Sequence, residues 1–188
     1  MYGLVNRAVE GLIRQEFGDE AWDKISSQAG VGTLEFVSMQ TYDDKVTYDL
    51  VGAASEVLGA PAADLMRAFG QYWIRYTADA GYGDLLQGVG GSFGEFLAGL
   101  DAMHGRVAMT FPDLKPPSFE CEELSPSRYR LHYYSDRPGL EPMVVGLVEG
   151  LAERFSQAAQ VEWSAEGEGH TIFEIEVAPI EGAAADAG

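Results

Sequence analysis

"RYRLHYYSDR", Arg128–Arg137, is the stretch on which the fold turns. Its side chains alternate in character with the period of two expected of a strand. "SFECEEL" (118–124) alternates in the same way just before it, and "QVEWSAEG" (160–167) and "HTIFEIEVAP" (170–179) close the chain as two more strands around a glycine turn. Between the two pairs, Met143, Leu147, Leu151 and Phe155 recur at helical spacing and predict a helix over Leu140–Ala158.

Upstream the period changes. Leu4, Val5, Ala8, Val9, Leu12 and Ile13 mark a first helix that Gly18 ends, and shorter helical patterns cover Glu20–Ala29 and Asp43–Leu58. Pro61 opens a helix with Leu65, Phe69, Tyr72, Trp73 and Tyr76 in its stripe, at a position where a missing N–H is harmless. A glycine-rich link, "GYGDLLQGVGG" (81–91), leads to Ser92 and Glu95, spaced as a capping box. The helix they begin presents Phe93, Leu97, Leu100, His104 and Val107 on one face, and "FPDLKPPSF" (111–119) is a stiff proline loop. The expectation is an α+β domain: a helical N-terminal lobe, then a C-terminal lobe with a small, mainly antiparallel four-stranded sheet and a packed helix. It spans 1–180 as one domain, the first lobe about 1–60 and the remainder about 61–180, with 181–188 a frayed tail.

Charge narrows the function. The chain has 12 Lys and Arg against 30 Asp and Glu, a formal net charge of −18. Nucleic acid and anionic membranes both require surplus cations, so neither is an expected partner. A single cysteine, Cys121, leaves no intrachain disulfide and no cysteine zinc site, and is read as a packed thiol. With no signal-peptide pattern and no apolar run of 18 residues, a cytoplasmic setting is expected.

Against that scarcity of cations, three of the 12 fall in the opening stretch. Tyr133, Ser135 and Arg137 share one side of the strand, a phenol, a hydroxyl and a guanidinium spaced roughly 7 Å apart. Such a row grips carboxylates, the guanidinium through two parallel bonds; an exposed strand face with a surface ion pair is the alternative. His104 is the one histidine on a strongly apolar helical face. A neutral imidazole there serves either as a buried side chain bonded to a carbonyl or as the axial ligand of a heme. A bare metal site needs several ligands close together, and the pairing of His104 with an acid-gripping row favours heme and its two propionates.

These motifs resemble the heme-nitric oxide/oxygen-binding (H-NOX) family, related to the heme domain of soluble guanylate cyclase. The resemblance runs through the "MYGLVN" start, "AFGQYW", His104, "PPSFEC", the Y-x-S-x-R triplet and "GLVEGL". It implies a b-type heme held non-covalently between the lobes, in accord with the absence of C-x-x-C-H. His104 would be the metal ligand, Tyr133, Ser135 and Arg137 would hold the propionates, and Pro117 would press on the ring. Val5, Val9, Trp73, Met143 and Leu147 would line the side where gas binds. Met143 stands in "GLEPMVVGL", where oxygen-binding members carry a tyrosine donor, so the resemblance implies a protein that binds NO and CO and excludes oxygen. The family implies a sensor rather than an enzyme, acting by loss or weakening of the iron–His104 bond on a separate histidine kinase or cyclic-di-GMP enzyme. Two other readings compete: a heme-free regulatory domain that holds an organic acid, and a peroxidase-like enzyme, for which the distal segments offer no histidine.

Overall fold

The computed structural model describes residues 1–78, 88–111, 113–167 and 169–180. Residues 81–87 of the glycine-rich link and the tail 181–188 lie outside them. Four helices come first: α1 (Gly3–Phe17), α2 (Asp19–Gln28), α3 (Asp44–Leu58) and α4 (Ala62–Thr77). Each boundary has a local cause. Gly18 ends α1 and Gly59 ends α3 at φ of 83° and 66°, where a side chain would be strained. Asp43 caps α3 by accepting the Lys45 N–H at 2.8 Å. The apolar stripe of α1 (Ala8, Val9, Leu12, Ile13) meets Trp22 and Ile25 of α2, Leu50 and Ala54 of α3 and Phe69 of α4 in one core.

Helix α5 (Phe93–Thr110) opens the second lobe; α4, expected with the remainder from about residue 61, instead contributes Phe69 to the core of the first. Ser92 Oγ accepts the Glu95 N–H at 3.3 Å, as the capping box requires, but Glu95 reaches back to the Gly91 N–H at 2.8 Å rather than to that of Ser92. Strands β1 (Ser118–Ser125), β2 (Arg128–Tyr134), β3 (Gln157–Gly167) and β4 (His170–Pro179) form one antiparallel sheet in the order β1-β2-β4-β3. Helix α6 (Glu141–Arg154) covers its inner face, where Val144, Val148 and Leu151 join Leu131, Phe173 and Ile175 in a second core. Burying each such side chain contributes roughly 1.5–3 kcal/mol. Among the described residues no helix is long and apolar enough to cross a membrane.

One expected boundary moves. The helix foreseen over Leu140–Ala158 stops at Arg154, Ser156 turns the chain at φ 56°, and Gln157 is already paired with Pro179 in the sheet. "SQAAQ" is good helix sequence, but the ladder to β4 supplies more partners than another helical turn would.

The lobes meet where α4 crosses α6. A Cβ placed on Gly70 would run into the Met143 carbonyl, and one on Gly146 into the Arg67 carbonyl, so the two backbones touch directly. Across the same crossing Arg67 donates to both oxygens of Glu149, from Nε at 2.8 Å and from Nη2, and Gln71 Nε2 adds a bond at 2.8 Å. Glu149 is buried, whereas the Arg67 side chain is 54 % exposed. A buried carboxylate needs such partners to remain charged.

Candidate functional site

Between the lobes lies a cavity of about 330 Å³, within the range of small-molecule sites. Its walls are mostly apolar. Val5 of α1, Trp73 and Ile74 of α4, Phe96, Leu97, Leu100 and Met103 of α5, Pro116 and Pro117 of the loop, and Met143, Leu147 and Leu151 of α6 all contribute. Into this surface project a few polar side chains, chiefly His104, Tyr133, Ser135, Arg137 and Lys115.

His104 sits on the fourth turn of α5 with its ring 5.3 Å from that of Phe119. Its Nδ1 lies 2.9 Å from the Leu100 carbonyl. A carbonyl only accepts, so the proton resides on Nδ1 and Nε2 keeps a free lone pair. Burial lowers the imidazole pKa, against the bond to Leu100 and the charge of Asp101, so the ring is neutral near pH 7. A nitrogen ligand must be neutral and oriented from behind, and His104 satisfies both conditions. Asp101, one turn earlier, accepts the Ser118 hydroxyl at 2.8 Å and the Phe119 N–H at 3.0 Å, tying α5 to β1. Those two bonds, the backbone one foremost, hold its carboxyl below the usual range.

At the opposite rim stands the row from the opening stretch. β2 ends at Tyr134, yet all three residues remain on the cavity wall because the Ser135 N–H continues the contact to the Gly169 carbonyl at 2.9 Å. Tyr133 is buried; that burial raises its phenol pKa, and a hydrogen bond with Ser135 acts the other way. Ser135 Oγ accepts the Arg137 N–H at 3.1 Å. Arg137 Nε donates to Asp44 at 2.7 Å, and Nη1 donates to the Lys115 carbonyl at 2.7 Å. A guanidinium has five N–H donors, so three remain for an incoming carboxylate.

The donor set fits a heme. A flat apolar ring requires greasy walls, one axial nitrogen and a polar rim for its acids, and all three are present. Eight of the nine residues expected around the ring, together with His104, fall within this cavity's lining: Val5, Trp73, Pro117, Tyr133, Ser135, Arg137, Met143 and Leu147. Val9 does not. It lines a second cavity of about 290 Å³ inside the first lobe, with Leu12, Ile13, Val51, Ala54 and Leu65. One turn of α1, roughly 5.4 Å, carries it from the inter-lobe space into the lobe core. Sequence reasoning missed Asp44, Asp101 and Lys115. Asp101 had a usable signal, three residues before His104 on the same helical face; Asp44, 93 positions from Arg137, had none. Cys121 is half-buried, and burial pushes its thiol up to about 11, as expected of a packed thiol.

The sequence model of a family described as "Haem-NO-binding" matches residues 2–163. Soluble guanylate cyclase gcy-31 of Caenorhabditis elegans is 30% identical over 161 residues, 86% of this chain and 23% of the cyclase. Soluble guanylate cyclase 89Db of Drosophila melanogaster is 28% identical over 155 residues, 82% of this chain and 23% of its own length. The chain thus spans under a quarter of the length of these relatives. Among solved structures, an H-NOX protein from S. oneidensis in the Fe(II)NO state superposes with a TM-score of 0.85 at 22% identity, covering 95% of this chain and 99% of that one. The unliganded Fe(II) H-NOX protein from K. algicida gives 0.82 at 24% identity, covering 95% and 97%. At such identities these likenesses speak to the fold.

Proposed function

The chain belongs to the haem-NO-binding family, a family of heme-binding sensor domains rather than enzymes, and from that premise we propose that it senses NO and CO while excluding oxygen. The observation that carries this reading is one cavity that holds both a neutral, back-anchored imidazole and a carboxylate-gripping rim. Heme bound there supplies a ferrous iron open to a diatomic gas. The chain's residues supply the rest. His104 would hold the iron through Nε2. Tyr133, Ser135 and the three free N–H groups of Arg137 would receive the propionates, and Pro117 would bear on the ring. Val5, Trp73, Met143 and Leu147 would line the side where gas binds. None of these four is a tyrosine, and the oxygen selectivity rests on that, with Trp73 packing rather than donating its indole N–H: bound dioxygen carries partial negative charge and gains much from a hydrogen-bond donor, whereas NO and CO gain less.

The signal follows from what holds α5. His104 is hydrogen-bonded to its own helix through Leu100, and α5 is joined to β1 near this turn by Asp101. Loss or weakening of an iron–His104 bond would let α5 shift and carry β1 with it through Asp101, while Arg137, bonded to Asp44 of α3, couples the rim to the first lobe. A ligand that favours one of two such arrangements biases the surface shown to an effector. The family resemblance points to a histidine kinase or a cyclic-di-GMP enzyme as that effector.

Visible spectra of the reduced protein under argon, air, CO and NO test the reading, repeated with His104→Gly. The expected result is a heme spectrum that changes with CO and NO, is the same under air and argon before slow oxidation, and loses its nitrogen ligand in the variant. A stable oxygen complex would overturn the selectivity, and an unchanged axial nitrogen in His104→Gly would overturn the site.

A further inference from the structure

The outer face of the sheet carries a second cluster that the cavity does not use. Two of the chain's three histidines, His132 on β2 and His170 at the start of β4, direct ring nitrogens at each other. His132 Nδ1 lies 3.1 Å from His170 Nε2, with the rings 20° from parallel. Tyr134 stacks on His170 at a centroid distance of 4.4 Å and so fixes the plane of that ring. The second nitrogen of His132 is buried and makes no hydrogen bond, although Glu122 Oε1 is only 3.3 Å away. β2 and β4 are the two inner strands of the sheet, so ladders on both sides hold the two backbones in place.

Two imidazole nitrogens so placed stand almost where a metal ion would put them. Metal–nitrogen bonds of about 2.0–2.1 Å at a tetrahedral angle separate two ligand atoms by roughly 3.3 Å. Glu122 completes the pattern. A metal-bound imidazole characteristically donates its other N–H to a carboxylate. Were His132 to bind through Nδ1, its proton would sit on Nε2, and the nitrogen that now lacks a partner would gain one. Among the described residues no three ligating side chains converge, so the protein supplies two nitrogens and water fills the remaining positions. Imidazole donors favour zinc, copper and nickel over calcium and magnesium, and the net charge of −18 draws cations to the surface.

We propose that His132 and His170 form a binding site for a divalent late transition-metal ion on the outer face of the sheet, with Glu122 orienting His132. The proposal rests on nothing in the heme cavity. Zn²⁺ is the probe, titrated calorimetrically into the heme-loaded protein, in which His104 is occupied, with Mg²⁺ as comparator, alongside His170→Ala. Two-dimensional NMR of the unaltered protein follows the histidine ring signals during the same titration. Expected is one Zn²⁺ bound in preference to Mg²⁺, weakened at least about tenfold by His170→Ala, with the His132 and His170 ring signals moving together. Zinc affinity that survives His170→Ala, or that leaves those two rings unmoved, overturns the proposal.

Discussion

Helix α4 separates two cavities of similar size, about 330 Å³ on one side and about 290 Å³ on the other. Trp73, Ile74 and Thr77 face the first; Leu65, Ala68, Gln71 and Arg75 face the second. Both are walled mainly by aliphatic side chains, so neither volume nor greasiness tells them apart. The difference lies in the polar groups. In the first cavity a neutral nitrogen is held from behind on one wall, and a guanidinium with spare donors stands at the rim. In the second the polar side chains are Glu16, Gln71 and Arg75, and Gln71 is already bonded to Glu149. A space becomes a cofactor site through a few oriented donors, and those donors come from distant parts of the chain.

The contrast is broken most completely by His104→Gly. The first cavity should then lose its axial nitrogen, seen as a changed or absent visible spectrum, and free imidazole should restore it. Next comes the clamp that fixes α4, the shared wall, against α6. Arg67→Met leaves Glu149 buried with only Gln71 as partner and should cost about 3–5 kcal/mol, read from urea midpoints. Glu149→Gln should cost less, because the half-exposed Arg67 can turn to water. Arg137→Ala removes charge-assisted bonds of about 1.5–3 kcal/mol in all and should speed heme loss to a scavenger about ten- to a hundredfold.

A smaller effect concerns pH. The native pKa of His104 is depressed, so the unfolded chain binds a proton that the native ring refuses. Stability associated with this histidine is therefore fully present above about pH 6.5 and is lost as pH falls from there toward the depressed native value. Urea midpoints of the heme-free protein between those limits should fall more steeply than those of His104→Gln. The smallest effect belongs to the second cavity. Val51→Leu adds one methylene there, should cost less than about 1.5 kcal/mol, and should leave the heme spectrum unchanged. A shifted spectrum would show that the two cavities communicate through α4.

Much of this was readable from local pattern. Helical spacing found α1 and α5, Gly18 and Ser92 marked boundaries that the structure keeps, and alternation placed Tyr133, Ser135 and Arg137 on one side. Two kinds of information were missing. The first is competition between partners: residues 155–158 are compatible with helix, and only the pairing with β4 decides that the chain turns at 155–156 and is strand from Gln157. The second is distance along the chain. Arg137 finds Asp44 93 positions away and Arg67 finds Glu149 82 positions away, and no local spacing encodes either meeting. Val9 shows the same limit on a smaller scale, since amphipathic phase says that a residue faces inward but not toward which interior.

The unequal exposure of Arg67 and Glu149 also gives the lineage of such a chain a preferred direction of drift. The anion must be surrendered before its partner, because the reverse order passes through an intermediate carrying a stranded charge between the lobes. Descendants that have lost both should therefore be reachable through a neutral residue at 149, and those retaining glutamate there should retain a cation at 67.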